Sequence, residues 1–464
     1  MNVIMKFGGT SVQDAEAMNR VIAIVRNQWA ANPNDRPPVV VVSAMSKVTD
    51  RLVETGRLAG ERQASQATQI IADLLTRHLG VAATLVQGPA LDELNAQLTS
   101  DFNALQADVK AWAEAGEVTP AAADVLQAMG ELASSRIVAA AFRQQGVNAA
   151  WVDSRQVLVT DAEFSAALPD MDATAERAQA IVATKTAAGQ VPVMGGFIGA
   201  TATGVTTTLG RGGSDYSAAI FGACLDVDEI QIWTDVDGML TADPRVIPDA
   251  RVVPELSFDE ASELAYFGAK VLHPSTILPA VSSGIPVRIL NSRAPQRAGS
   301  RITQAAAGSV HGLTAIACKR GVTRIDIAST RMLMAHGFLQ RVFEVFARHR
   351  TAVDVVTTSE VSVSVTIDDA RAVDRITGDL SAFADVQVVT GRAIVCAVGD
   401  RMATDATLSA RVIASLEGMP LEMISQGGSR RNVTLVVPDA LVREAMQRLH
   451  ARFFAATGAE AVPA

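Results

Sequence analysis

Over the first 300 residues, short runs dense in β-branched residues alternate with long stretches whose apolar positions recur at helical spacing. That alternation predicts an α/β layered fold with a largely parallel sheet. Strands are predicted at 3–7 (VIMKF), 38–43 (PVVVVS), 191–197 (VPVMGGF), 229–234 (EIQIWT) and 285–290 (IPVRIL). Each ends near glycine or polar residues, and ligands of open α/β sheets bind outside the carboxyl ends of the strands. Between Asp50 and Gln145 the chain turns to Ala, Gln, Leu and Glu, with Val125, Met129 and Leu132 at helical spacing, which predicts an inserted helical subdomain serving as a lid or flank.

The small, featureless run QAAAGS (304–309) reads as a linker, and the pattern beyond it repeats. VTRIDIAS (322–329), the helix GFLQRVFEVFARH (337–349), AVDVVTTS and VSVSVTI give strand, helix, strand, strand. About 70 residues later, AIVCAVGD (393–400), the helix TLSARVIASLEG (407–418), PLEMISQG and RNVTLVV give the same order, and each unit is closed by a further helix. Two β-α-β-β-α-β units in tandem are predicted, followed by a frayed tail, AATGAEAVPA.

At 464 residues the chain has room for about three domains, and 49% hydrophobic content lets each bury a core. A formal charge of −9 with no basic cluster argues against a nucleic-acid partner and for a small one. Cys224, Cys318 and Cys396 form no C-x-x-C and the six histidines no H-E-x-x-H, which leaves no zinc pattern and fits a reducing cytoplasm. MNVIMKFGG is not a secretory leader, and no apolar run nears the roughly 18 residues of a membrane span.

Candidate chemistry gathers at strand ends. Lys6 closes the first strand and is followed by Gly8, Gly9, Thr10 and Ser11, then by DAEAMNRVIAIV, an amphipathic helix. Glycines between strand and helix let backbone N–H groups approach an anion, and phosphate is the natural guest, although the spacing is not that of a P-loop. TTLGRGGSDYS (207–217) repeats the device. Gly210, Gly212 and Gly213 free the backbone, Ser214 is placed to cap the following helix, and Arg211 offers a fork for carboxylate or phosphate. Asp215, in the first helical turn, either complements the dipole or orients a cation. Ser43 and Thr49 lie in SAMSKVT after a strand, Glu131 in the apolar run QAMGELASSRI, Thr234 and Asp235 in WTDVDG, and Lys270 and His273 in FGAKVLHPST. Singly each is ordinary; His273 reads as a packing histidine.

Taken in order, K-F-G-G-T-S (6–11), V-S-A-M-S-K-V-T (42–49), G-E-L (130–132), T-T-T-L-G-R-G-G-S-D-Y (206–216), W-T-D-V-D-G (233–238), D-P-R (243–245) and F-G-A-K-V-L-H-P (267–274) resemble the aspartokinases of the amino-acid kinase family. The resemblance covers nearly the whole chain, with the repeat similar to that family's paired ACT domains. It implies a three-layer, carbamate-kinase-like catalytic domain at 1–305 with its helical insertion at 50–145. A regulatory region at 306–464 would follow, built of two ferredoxin-like ACT units, about 321–391 and 313–320 plus 392–460. No length remains for a fused homoserine dehydrogenase. The implied activity is ATP-dependent phosphorylation of the side-chain carboxylate of L-aspartate, at the head of lysine, threonine and methionine synthesis.

The resemblance also implies roles. Lys6 would neutralise the γ-phosphate and Asp215 orient Lys6; Arg211 would clamp a carboxylate of aspartate, with Gly212, Gly213 and Ser214 near the transferring group. Glu131 would receive the substrate ammonium, with Ser43 and Thr49 as hydrogen-bonding partners. Gly8, Gly9, Thr234, Asp235, Arg245 and Lys270 would line the nucleotide side, and Mg²⁺ would arrive mainly with the phosphates. An ionised carboxylate nucleophile needs no general base. Leu240 stands where relatives often have tyrosine, and Lys47 where many have glycine.

The first repeat is similar to the lysine-inhibited, single-function members. Met332, Gly337, Leu339, Val353, Asp354, Ser359, Glu360 and Val361 match their effector pocket, whereas Met334, Ala335 and Ala352 replace expected polar side chains. L-lysine is the implied effector, with threonine or no inhibition as alternatives. A homodimer through the ACT units, or a tetramer, is implied. A catalytically inactive amino-acid sensor is the reading from a different class.

Overall fold

The computed structural model describes residues 2–31, 35–268, 272, 274–304, 312–329 and 336–454. Its packing divides the chain into two compact units, Met1–Gly238 with Leu272–Gln304 and Met239–Val271 with Ala305–Ala464. The chain thus passes between units three times rather than once near 305. The reason is apolar: Ala242 and Ile247 are buried in one cluster with Ile316, Val395 and Leu408, so the 239–271 segment belongs by packing to the second unit.

In the first unit the strands of the main sheet run in the order Ala149–Val152, Val191–Gly195, Val39–Val42, Val3–Phe7, Glu229–Thr234, Val287–Asn291, Ser300–Thr303. All pairings along it are parallel except the last, between Val287–Asn291 and Ser300–Thr303. Val3–Phe7 and Val39–Val42 are buried at every position, as expected of parallel strands covered on both faces. From Val3–Phe7 the chain builds first toward one side, through Val39–Val42, and later toward the other, through Glu229–Thr234. That reversal leaves a crevice at the carboxyl end of the central strand. A small sheet of Val159–Thr160, Ile198–Thr201 and Thr206–Thr208 lies in the same unit.

The 50–145 segment folds into four helices, Val48–Gly60, Ala64–Leu85, Pro89–Ala115 and Pro120–Gln144. The last is no flank. It starts at Thr119, whose hydroxyl accepts from the Ala122 N–H, with Pro120 in the first turn where its missing donor costs nothing. Every residue from Ala128 to Ser135 is buried, so this helix is part of the core. Ala133, Ile137, Val138 and Phe142 share one apolar cluster with Met5, Phe7, Val40 and Val42.

The second unit carries a six-stranded antiparallel sheet, Val356–Thr358, Ser362–Ile367, Ala315–Ala328, Asp385–Val398, Asn432–Pro438, Met423–Gln426. The two 14-residue strands at its centre each serve both repeats, and their pairing shifts register between Arg320 and Arg324, around Gly321 at φ +73°. Residues 322–328 and 385–391 complete the first repeat with the Phe338–Arg348 and Val373–Ser381 helices. The second repeat, with the Ala406–Ala414 and Val442–Phe454 helices, takes 315–320 as its outer strand. Separate apolar clusters underlie the two, one around Ile325, Val342 and Ile376 and one around Val395, Val412 and Leu449. No helix among the described residues is long and apolar enough to cross a membrane. Cys224, Cys318 and Cys396 are free thiols.

The core helix approaches the loop after Val39–Val42 so closely that a Cβ on Gly130 would sit 2.7 Å from the Ala44 Cβ. Gly130→Ala is therefore expected to destabilise the first unit by about 1–3 kcal/mol through overpacking, read as a lower denaturant midpoint at unchanged slope.

Candidate active site

Gly8, Ser43 and Gly196 follow three adjacent strands of the first unit, Thr234 ends the fourth, and a cavity of about 850 Å³ opens at these carboxyl ends. Its walls include Lys6, Gly8, Gly9, Ser43, Thr49 and Glu131, the turn from Gly210 to Asp215, and Thr234 with Asp235. Residues separated by more than 200 positions in the chain thus meet where the sheet reverses direction.

Lys6 is the only charged member of a strand otherwise made of apolar side chains, and it is 7% exposed. Its Nζ lies 2.6 Å from Asp215 Oδ1. An ammonium so placed needs a counter-charge, and removing one partner of a buried pair costs about 3–5 kcal/mol. Asp215 comes from the Gly213–Leu225 helix, whose first residues curl out of a turn with Gly210 at φ +76° and Gly212 at φ +73°. Only glycine takes that conformation readily, and a Cβ at Gly213 would come 2.6 Å from the Phe197 ring. Ser214 does not cap this helix. Gly212 occupies the cap position without a side-chain bond, and Ser214 sits inside the first turn, because the helix begins two residues earlier than expected. Arg211 is exposed at the cavity rim and enters no ion pair among the described residues.

Across the cavity, Glu131 is 3% exposed. Its Oε1 accepts from the Ala44 N–H at 3.1 Å, and Oε2 is buried without a hydrogen-bond partner among the described residues. Burial pushes its carboxyl up to about 8, opposed by the Ala44 N–H and by the charge of Lys6. A carboxyl in this state offers a ready acceptor to a cationic group that enters the cavity. Ser43 and Thr49 flank it, Thr49 in the first turn of the Val48–Gly60 helix. Lys47 caps that helix at φ +66°, a left-handed position that explains why glycine suits it.

One group escaped the sequence analysis. Asp124, wholly buried two turns before Glu131 on the same helix, accepts from the backbone and hydroxyl of Thr208 and of Ser165 at 2.8–3.1 Å. The signal was available: Asp124, Gln127 and Glu131 fall at i, i+3 and i+7, one face of an otherwise apolar helix. Two other assignments are not among the residues that line the cavity. Arg245 lies in the second unit, its guanidinium closed on Asp243 at 2.6 Å. Lys270 and His273 lie outside the described residues, as do Met332, Met334 and Ala335.

Of the effector residues, Gly337 is the left-handed cap of the Phe338–Arg348 helix, and Leu339 and Val361 are exposed. Ser359 bonds Ser362, Val353 is half-buried, and Glu360 and Ala352 face solvent. Asp354 is already engaged. Its Oδ1 accepts from Lys319 Nζ at 2.8 Å and from Tyr266 Oη at 3.1 Å, while Oδ2 is buried without a described partner.

A model of the amino acid kinase family matches residues 1–291, and an ACT-domain model matches residues 395–453. The lysine-sensitive aspartokinase 3 of Escherichia coli is 36% identical over 97% of this chain and 99% of its own length. The chain belongs to the aspartokinase family. A crystal structure of E. coli aspartokinase III in complex with lysine and aspartate shares its fold at a TM-score of 0.81 and 34% identity, covering 97% of this chain and 99% of that one. The same enzyme in complex with aspartate and ADP gives 0.79 and 35%, covering 98% and 100%. This aspartokinase therefore carries the amino acid kinase fold with C-terminal ACT units.

The state of Glu131 yields a pH prediction. A carboxyl held near 8 is mostly protonated at neutral pH, and an ammonium ligand must expel that proton. The KM for L-aspartate should fall by about tenfold between about pH 7 and 9 as Glu131 ionises, with a raised and flat profile in Glu131→Gln. Initial-rate kinetics across that range check it; a flat wild-type profile contradicts the assignment.

Proposed function

We propose that the first-unit cavity binds L-aspartate and ATP together and transfers the γ-phosphoryl group to the substrate's side-chain carboxylate, giving 4-phospho-L-aspartate. The observation that carries this is the buried Glu131 Oε2, without a hydrogen-bond partner among the described residues, in the wall of the same cavity as the Lys6–Asp215 pair and the Gly210–Gly213 turn. Glu131 receives the ammonium and Arg211 the α-carboxylate, with Ser43, Thr49 and Ser214 completing the substrate side. The backbone at Gly212 and Gly213 approaches the transferring group, and Lys6, held by Asp215, neutralises charge on it. Gly8, Gly9, Thr234 and Asp235 face the nucleotide.

The nucleophile is ionised at neutral pH, so catalysis reduces to positioning and charge stabilisation. The donor set suits Mg²⁺ carried by the phosphates: Asp215 is committed to Lys6 and Glu131 is buried, leaving few free carboxylate oxygens for a protein-built cage. The reduced thiols fit a cytoplasmic enzyme.

The regulatory reading is feedback inhibition by L-lysine. It rests on Asp354, whose second carboxylate oxygen is buried without a partner among the described residues, and on the lysine-sensitive relative. An effector ammonium at Asp354 would share that carboxylate with Lys319 and with Tyr266, which ends the Phe258–Tyr266 helix. For inhibition, lysine must prefer an inactive arrangement, with coupling of about 1–3 kcal/mol. A homodimer is supported by exposed Leu339, Phe343, Val356 and Val361 on the first repeat, beside an edge strand.

The deciding experiment is Mg-ATP- and L-aspartate-dependent hydroxamate formation, with the acyl phosphate trapped by hydroxylamine. Lys6→Ala and Asp215→Ala should each lose at least about 10²-fold in turnover; near-normal activity in either folded variant removes its role. Millimolar L-lysine should suppress product, and calorimetry should show weaker lysine binding to Asp354→Ala than to wild type. Equal affinities reject the pocket. Absence of product under all conditions would favour the sensor.

A further inference from the structure

We propose that Asp124 is a positioning residue for the phosphoryl transfer: it pins the loop that carries Arg211 to the helix that carries Glu131. The inference rests on the reading that this loop and Glu131 hold the two ends of the amino-acid substrate.

Asp124 is 0% exposed, and its carboxylate serves four donors from two separate segments. Oδ2 accepts from the backbone N–H of Ser165 at 2.9 Å and of Thr208 at 2.8 Å; Oδ1 accepts from the Ser165 hydroxyl at 3.1 Å and the Thr208 hydroxyl at 2.8 Å. Thr208 ends the Thr206–Thr208 strand two residues before Gly210, and both Ser165 and Thr208 line the cavity. Ser165 is itself in the left-handed region, at φ +69°, and its carbonyl lies 2.9 Å from where a Cβ on Gly210 would stand. Ser165 and the glycine turn are therefore stacked backbone to backbone, and one carboxylate holds both.

Asp124 and Glu131 are seven residues apart, about 10 Å along a helix and nearly on one face. Because that helix is buried in the core, the separation between the ammonium acceptor and the anion-binding turn is set by a rigid element. Positioning to within about half an ångström is what such a site requires. A buried carboxylate that merely satisfied loose backbone would not need to hold cavity-lining residues of two segments at once.

The geometry makes a discriminating forecast. In Asp124→Asn the amide oxygen can face the two backbone N–H groups and the amide nitrogen the two hydroxyls, which rotate to accept. All four bonds survive without the charge. Asp124→Glu keeps the charge but displaces the oxygens by a methylene, and Asp124→Ala removes them.

Expected in folded protein, verified by thermal melting, is a wild-type KM for L-aspartate within about threefold in Asp124→Asn. Asp124→Glu, and Asp124→Ala where it folds, should raise that KM at least tenfold while the KM for Mg-ATP stays within about threefold. The inference is overturned if Asn is as impaired as Glu, if Glu behaves as wild type, or if both KM values move together. Arg211→Ala is run alongside. An unchanged aspartate KM there would refute the substrate reading itself, whereas a raised one with no effect of Asp124→Glu would refute only the positioning role.

Discussion

The contact between Lys6 and Asp215 joins the carboxyl end of the central strand to the first turn of the Gly213–Leu225 helix, and much of the first unit is arranged to make it possible. A lysine in a parallel strand covered on both faces is unfavourable unless its ammonium finds an anion. The partner has to come from far along the chain, because neighbours on the strand are apolar. The glycine turn at 210–213 lets the backbone bend sharply enough to deliver that carboxylate, and the same bend turns the start of the helix toward the cavity. A structural need, neutralising a buried cation, and a chemical one, holding a cation beside a transferring phosphoryl group, are met by the same two side chains.

The opposite wall uses burial in another way. Glu131 Oε1 accepts the Ala44 N–H, burial favours the neutral form, and Oε2 has no partner among the described residues. Asp124, two turns away, is fully satisfied and serves as a fixed point. One carboxylate is left wanting and the other saturated, and the difference is set by how many backbone and hydroxyl donors reach each among the described residues, not by the acidity of the residue type. The core position of the helix keeps the two from moving independently.

In the second unit, two 14-residue strands shared by both repeats make the ACT pair one continuous sheet, so strain at one repeat has a covalent path to the other. Tyr266, Lys319 and Asp354 link the Phe258–Tyr266 helix to the first repeat through a carboxylate that faces two donors and keeps one buried oxygen free of described partners.

Much of this was written locally in the chain. The strands at 3–7 and 229–234 have the residue bounds that β-branched runs indicate, and the four helices of 48–144 follow apolar spacing, because each of these elements depends on its own periodicity. The glycine motifs were legible for the same reason: positive φ is a local demand. Three features were not. Ser214 looks like a cap, yet the tertiary turn moved the cap to Gly212. The spacing of Asp124 puts it on one helix face with Glu131, but only the packing of Ser165 and Thr208 against it reveals four bonds. Residues 239–271 look continuous with what precedes them, but Ala242 and Ile247 bury themselves in the other unit. By itself the sequence determined the elements, the motif order and the family they resemble, since those follow from neighbours along the chain. The protonation of Glu131, the saturation of Asp124 and the allegiance of 239–271 were decided by the tertiary structure, because desolvation and hydrogen bonding depend on which distant groups arrive in space.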